Sequence, residues 1–187
     1  MRVSFTGHRA NKLGGYSWNT EKNIEIINLI RSSIITLLQN LKDDEKLEVI
    51  TGGALGIDQM AFEVANELKE KGFNIETTLC VPFRKQYIKW NKEDIRRYKR
   101  HIGLADKIVY VDELKEYNPS RECIGDYKIW KFQKRNEYMV DHSDLVMTYW
   151  DGSEGGTKNC IKYAISLDVK VINILTGEIF DKVYLNI

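Results

Sequence analysis

Apolar and polar positions along this chain change period repeatedly, from the twofold alternation of strands to the 3.6-residue spacing of helices. Arg2-Val3-Ser4-Phe5-Thr6 reads as a first strand. Asn19 or Thr20 then caps a long helix whose inward face is predicted to take Ile24, Ile27, Ile30, Ile34, Leu37, Leu38 and Leu41. Residues 47–51 alternate as a second strand, and Ile57, Met60, Ala61, Val64, Ala65 and Leu68 follow on one helix face. Lys69, Lys71 and Gly72 close that helix with a cationic last turn and a C′ glycine. A third strand covers 75–81 and stops at Pro82, a charged helix spans 85–101, and a fourth strand covers 107–111. Residues 112–126 read as loop, 127–142 as helix, 145–150 as a fifth strand and 170–174 as a sixth, with Ile161, Ala164, Ile165 and Leu167 marking the helix between the last two.

Strands separated by single helices pair in parallel through right-handed crossovers. The expected fold is therefore α/β: a Rossmann-like, doubly wound, mainly parallel sheet with helices on both faces, forming one domain over 1–187. Such sheets bind ligands beyond the carboxyl ends of their strands. Two glycine-rich turns fall there: Thr51-Gly52-Gly53-Ala54-Leu55-Gly56-Ile57-Asp58 after the second strand and Asp151-Gly152-Ser153-Glu154-Gly155-Gly156-Thr157 after the fifth. Glycine inside a helix costs about 1 kcal/mol relative to alanine, so glycines at these joins point to positive φ or close backbone approach. Backbone N–H groups bared at a helix start can face a phosphate. Thr6-Gly7-His8-Arg9 leaves the first strand at the same edge, and two tight turns without a ligand are the plainer alternative.

With 187 residues, 43% of them hydrophobic, one packed core is expected. The net charge of +1 supplies no global field for nucleic acid or an anionic membrane. No apolar run approaches about 18 residues and no signal-peptide pattern precedes the first strand, which predicts a cytoplasmic protein with no membrane partner. Cys80, Cys123 and Cys160 lack metal-ligand spacing, so no metal and no cofactor is expected. The stretch 84–101 holds Arg84, Lys85, Lys89, Lys92, Arg96, Arg97, Lys99 and Arg100 against Glu93 and Asp94. It reads as a solvated face, with single-stranded nucleic-acid binding the alternative.

Thr6-Gly7-His8-Arg9, Lys12-Leu13-Gly14-Gly15-Tyr16, the Gly52–Asp58 string, Pro82-Phe83 with Gln86 and Trp90-Asn91, and Gln133-Lys134-Arg135-Asn136-Glu137 together resemble the YpsA/YoqJ branch of the SLOG superfamily, over almost the whole chain. The resemblance implies a Rossmann-like fold shared with LOG phosphoribohydrolases, DprA and nucleotide-sensing domains of bacterial and phage conflict systems. LOG enzymes carry Pro-Gly-Gly-x-Gly-Thr-x-x-Glu with a catalytic final carboxylate. Here Gly155-Gly156-Thr157 aligns with the glycine–threonine part, but Cys160 stands where the acid would be. Arg135 and Met139 match the preceding Arg-Lys-x-x-Met motif, with Asn136 in place of lysine. N-glycosidic hydrolysis needs a carboxylate to stabilise oxocarbenium charge or activate water, and a thiol replaces neither well. Asp58, Glu63, Asp151 and Glu154 are possible substitutes, while Asp58 also suits the first turn of a helix.

The expected function is therefore binding of a nucleotide or ADP-ribose-like small molecule, for sensing or sequestration in the conflict setting that the resemblance suggests. N-glycosidase activity on nucleotides is the alternative, and nucleic-acid binding ranks below both. Expected ligand contacts are Thr6, Gly7, His8, Arg9, Gly52, Gly53, Ala54, Gly56, Asp58, Pro82, Arg135, Asn136, Asp151, Gly152, Ser153, Gly155, Gly156 and Thr157; no catalytic residue is assigned. His8 and Asn136 also have structural readings, as groups bonded to backbone. Tyr87 and Trp90 suit either an aromatic wall for a base or the core. Ile129, Phe132, Asn136, Met139 and Val140 define one inward helix face, which leaves Trp130 and Tyr138 outside it and predicts a homo-oligomer unless 112–126 covers them.

Overall fold

β1 (Arg2–Gly7) runs through the middle of a parallel sheet because Val3, Ser4, Phe5 and Thr6 are all buried, the near-continuous burial that helices on both faces demand. The computed structural model describes residues 1–42 and 44–183. Around β1 lie β2 (Leu47–Thr51), β3 (Ile75–Val81), β4 (Lys107–Tyr110), β5 (Leu145–Tyr149), β6 (Lys170–Asn173) and β7 (Ile179–Phe180), in the order β4-β3-β2-β1-β5-β6-β7. The first six pair in parallel, and β7 is antiparallel to β6. The two-residue β7 has no counterpart in the sequence reading.

Five α-helices flank this sheet among the described residues: α1 (Glu21–Gln39), α2 (Ile57–Glu70), α3 (Lys92–Leu104), α4 (Trp130–Asp141) and α5 (Gly156–Ser166). The largest apolar cluster joins α1 and α2 to Val3, Phe5, Val49 and Met147. A second joins α5 and Val140 to Val146 and Val171 on the opposite face. β1 continues into β2 on one side of the sheet and borders β5 on the other, so the carboxyl ends of β1 and β5 form the topological switch point.

Three helices differ from expectation: α4 begins at Trp130 rather than 127, and Ile129, expected on its inward face, is 78% exposed while Lys131 and Arg135 are buried there with Asn136, Met139 and Val140. The inward face of α1 carries Asn23, Ile26, Ile30 and Ile34, whereas Ile24 is 48% exposed; Ile27, Leu37, Leu38 and Leu41 pack at the margin of the core. Asn23 is buried because the loop before α1 satisfies it: its amide donates to Gly15 O and Ser17 O, and its Oδ1 accepts from Gly14 N. α3 begins at Lys92 rather than 85. Asn91 caps it by accepting from Asp94 N at 2.9 Å, and residues 82–91 form successive turns instead. The basic run is thereby divided between turns and helix. Arg84 pairs with Glu113, Arg97 with Asp94 and Arg100 with Glu63, so no uniform cationic stripe results.

Residues 112–126 form a strap over α4. Asp112 and the Lys131 ammonium make a fully buried pair at 2.7 Å, and Lys131 also donates to Cys123 O and Asp126 O while Gly125 N donates to Asp112. Tyr117 meets Tyr138 edge-on, so the strap covers that ring, while Ile129 and Trp130 stay exposed at the start of α4. Among the described residues no helix is long and apolar enough to cross a membrane.

Candidate functional site: a cleft at the β1/β5 switch point

A cleft of about 290 Å³ opens beyond β1, between the two glycine turns and α4. From β1 and its exit come Thr6, Gly7, His8 and Arg9; from the first glycine turn and α2 come Ala54 and Asp58. α4 supplies Arg135 and Asn136, and Gly155, Gly156 and Thr157 form the α5 side. The fold therefore brings these expected residues together. Gly52, Gly53, Gly56, Pro82, Asp151, Gly152 and Ser153 do not line the cleft, and Asn11, Lys12, Phe132 and Glu154 do. Lys12 lies in a string already noted for the resemblance, and Phe132 had been assigned to the inward face of α4.

The two glycine turns play different physical parts. Gly52, Gly53 and Gly56 are buried. A Cβ on Gly52 would stand 1.2 Å from Arg135 Nη1, so the absent side chain makes the seat on which the guanidinium rests. Gly56 has φ +106 and leaves no room for a Cβ against His8 O. These glycines pack the site from behind. In the second turn Gly152, Gly155 and Gly156 are exposed, and a Cβ on any of them would meet nothing within 4 Å. Gly152 and Gly155 nevertheless need glycine, with φ of +90 and +144.

The helix starts differ in the same way. Neither N-cap, Gly56 for α2 or Gly155 for α5, provides a side-chain acceptor. α2 compensates with Asp58 in its first turn, whose Oδ2 accepts from Ala54 N and from Arg135 Nη1 at 3.0 Å. α5 has no acidic residue in its first turn, so its N–H groups and positive dipole end open toward the cleft without a carboxylate of their own.

Neighbouring charges favour an anion there. Arg9 is solvent-accessible and lies 5.7 Å from the centre of the Phe132 ring. Desolvation by the protein packed around it, and then the nearby Arg135 cation, lower its pKa, and it stays protonated all the same. Lys12 Nζ donates to Ser153 Oγ at 2.8 Å, reaching across to the second turn. Arg135 is already neutralised by Asp58, and Glu154 by Lys158. Arg9 and Lys12 thus leave the cleft net cationic.

His8 and Asp151 stitch the β1 and β5 exits together. His8 Nε2 lies 2.7 Å from Asp151 Oδ1 and 3.2 Å from Asp151 N. Hydrogen bonds from Ser153, and then from His8, hold the Asp151 carboxyl below the usual range. His8 therefore has the backbone-bonded role as well as a position in the cleft. Asn136 Nδ2 donates to Gly156 O at 3.4 Å, a long bond that still links α4 to the α5 start.

The possible acids sort clearly. Asp58 is paired and buried, Asp151 is tied to His8, and Glu63 bonds His101 and Arg100 away from the cleft. Glu154 is the remaining carboxylate in the cleft, and its side chain is 80% exposed. Cys160 is buried, which pushes its thiol up to about 12 and leaves it inert. Tyr87 and Trp90 pack on Tyr98 in the core rather than walling the cleft.

Comparison with known proteins bears on family and fold. The YpsA family profile, described as the YspA SLOG family, matches residues 3–171. The SPbeta prophage-derived protein YoqJ of Bacillus subtilis is 38% identical over 143 residues, covering 76% of this chain and 84% of YoqJ. A UPF0398 protein of Ligilactobacillus salivarius is 29% identical over 160 residues, covering 84% of this chain and 79% of its own. Among solved structures, DNA processing protein A (DprA) from Streptococcus pneumoniae superposes with a TM-score of 0.60 at 17% identity, covering 92% of this chain. DprA from Helicobacter pylori, described for its unique single-stranded DNA binding mode, gives a TM-score of 0.56 at 17% identity and covers 92% of this chain. This chain spans 49% and 64% of those two DprA chains, and the likeness is one of fold. Matched from its first strand to its sixth, the chain belongs to the YspA SLOG family.

Proposed function

We propose that this protein binds a phosphate-bearing, nucleotide-derived small molecule in the β1/β5 cleft and holds it without turnover. One observation carries the reading: α5 enters the cleft with no side-chain cap and no first-turn carboxylate, its Gly155-Gly156 backbone bare, beside Arg9 and Lys12. Aligned N–H groups, a helix dipole and two cations suit a phosphate. Binding is favoured over hydrolysis because the buried carboxylate is committed to Arg135 and Glu154 is held by Lys158 at the surface. A cytoplasmic sensor or sequestering protein for a nucleotide or ADP-ribose-like signal fits these features, and the prophage origin of YoqJ fits a role in phage conflict.

A second reading, single-stranded DNA binding, is favoured by the fold likeness to Helicobacter pylori DprA and by the exposed Lys85, Lys89, Lys92 and Arg96. Calorimetry with AMP, ADP-ribose and a thymidine oligomer at two salt concentrations separates the readings. The proposal expects saturable binding of a small nucleotide and its recovery unchanged by chromatography. Tight oligomer binding that falls steeply with salt, while small nucleotides fail, favours DNA. Released base establishes turnover.

A further inference from the structure

Beside the cleft lies a second hollow of about 380 Å³, between the turns after β3 and the strap before α4. Phe83, Ile88, Ile124 and Tyr127 line it, with Arg84 and Lys85 at its edge. Ile88 is 60% exposed, Tyr127 45% and Ile124 38%, a cluster of apolar side chains that solvent does not favour. The hollow is joined to the cleft by aromatic rings. Phe132 lines the cleft, and its ring centre is 5.8 Å from Tyr127 and 5.5 Å from Phe83. Arg9 lies over Phe132 on the cleft side, and Lys89 Nζ sits 4.4 Å from the Tyr127 ring centre on the other.

We infer that this hollow is a second subsite, which takes the aromatic base of a nucleotide whose phosphate is held at the start of α5. The inference rests on the function proposed above and adds to it where the base goes. An apolar, aromatic-lined depression with Lys85 in its wall and Lys89 over the Tyr127 ring suits a flat ligand that carries negative charge; Arg84 is already paired with Glu113, and Asp126 is the one carboxylate in the lining. Size points the same way. The hollow alone falls within the ~300–1,000 Å³ usual for ligand pockets, and the cleft sits just under it. Every base offers a π face, so stacking on Tyr127 does not require a particular one.

Calorimetry on the full chain with AMP and with ribose 5-phosphate, which keeps the phosphate and lacks the base, tests the subsite. Tyr127→Ala should weaken AMP about tenfold, equivalent to about 1.4 kcal/mol, and leave ribose 5-phosphate within about twofold. Tyr127→Phe should retain AMP, and Ile88→Glu, at an exposed wall position, should weaken AMP selectively as a second variant. Wild-type protein that binds the two probes equally, or a Tyr127→Ala variant that loses both alike, overturns the subsite and leaves the phosphate cleft standing. Failure of the wild type to bind either probe overturns both readings.

Discussion

Gly52→Ala isolates the seat beneath Arg135. Gly52 has no positive φ, so alanine strains no backbone there; the three atoms nearest the added methyl all belong to the guanidinium. Its Cβ would stand 1.2 Å from Nη1, and ordinary contact begins at 3.4 Å, so the group must retreat by about 2 Å. The Arg135–Asp58 separation of 3.0 Å then exceeds hydrogen-bonding distance, which ends near 3.2 Å. Overpacking of this kind costs about 1–3 kcal/mol. That is less than the roughly 3–5 kcal/mol for deleting one partner of a buried pair, because the guanidinium can swing into the open cleft. Arg135→Ala should show the larger loss. It also empties the space the methyl needs, so adding Gly52→Ala to Arg135→Ala should cost under about 0.5 kcal/mol. The double-mutant cycle therefore predicts a coupling of about 1–3 kcal/mol, read from urea unfolding and mirrored in Tm at roughly 2–4 °C per kcal/mol. Equal penalties for Gly52→Ala in both backgrounds would refute the seat.

Three further outcomes are expected. Lys131→Met strands Asp112 in the interior and should cost about 3–5 kcal/mol, with protease cleavage appearing in 112–126 before global unfolding. Glu63 is held down to about 2, first by the hydrogen bond from His101 and also by Arg100, so the stability it contributes is complete above its ordinary value of 4.5 and is lost as pH falls toward 2; Glu63→Gln should flatten that limb of a pH–stability curve. Light scattering should report twice 21.8 kDa if Ile129 and Trp130 form a self-association face, and Trp130→Glu should then return the mass to one chain without loss of circular dichroism.

The parallel sheet and the edge that carries the cleft were legible because period changes and glycine joins are local signals; residues 47–51 and 75–81 were placed to the residue. What sequence could not separate was a glycine needed for packing from one left open for a ligand. Gly52 and Gly155 both lie in strand-to-helix turns, and Arg135, arriving from α4 after the intervening strands, distinguishes them. The same limit turned the inward face of α1, whose cap at Thr20 was expected, and moved the start of α3. Hydropathy cannot foresee that Asn23 turns inward to bond Gly15 and Ser17, and a continuous run of Lys and Arg hides the cap at Asn91. Lys131 is the extreme case: a lysine on a charged helix, buried because Asp112 and the strap carbonyls of Cys123 and Asp126 surround its ammonium.

The phosphate seat at α5 is tested most directly by an amide NMR titration of the labelled protein with ribose 5-phosphate. The account predicts saturable shifts centred on Gly155, Gly156 and Thr157, extending to Arg9 and abolished by adding Arg9→Ala to Lys12→Ala. Shifts confined to α3 and the turns at 82–91, with the α5 start unmoved, would contradict it.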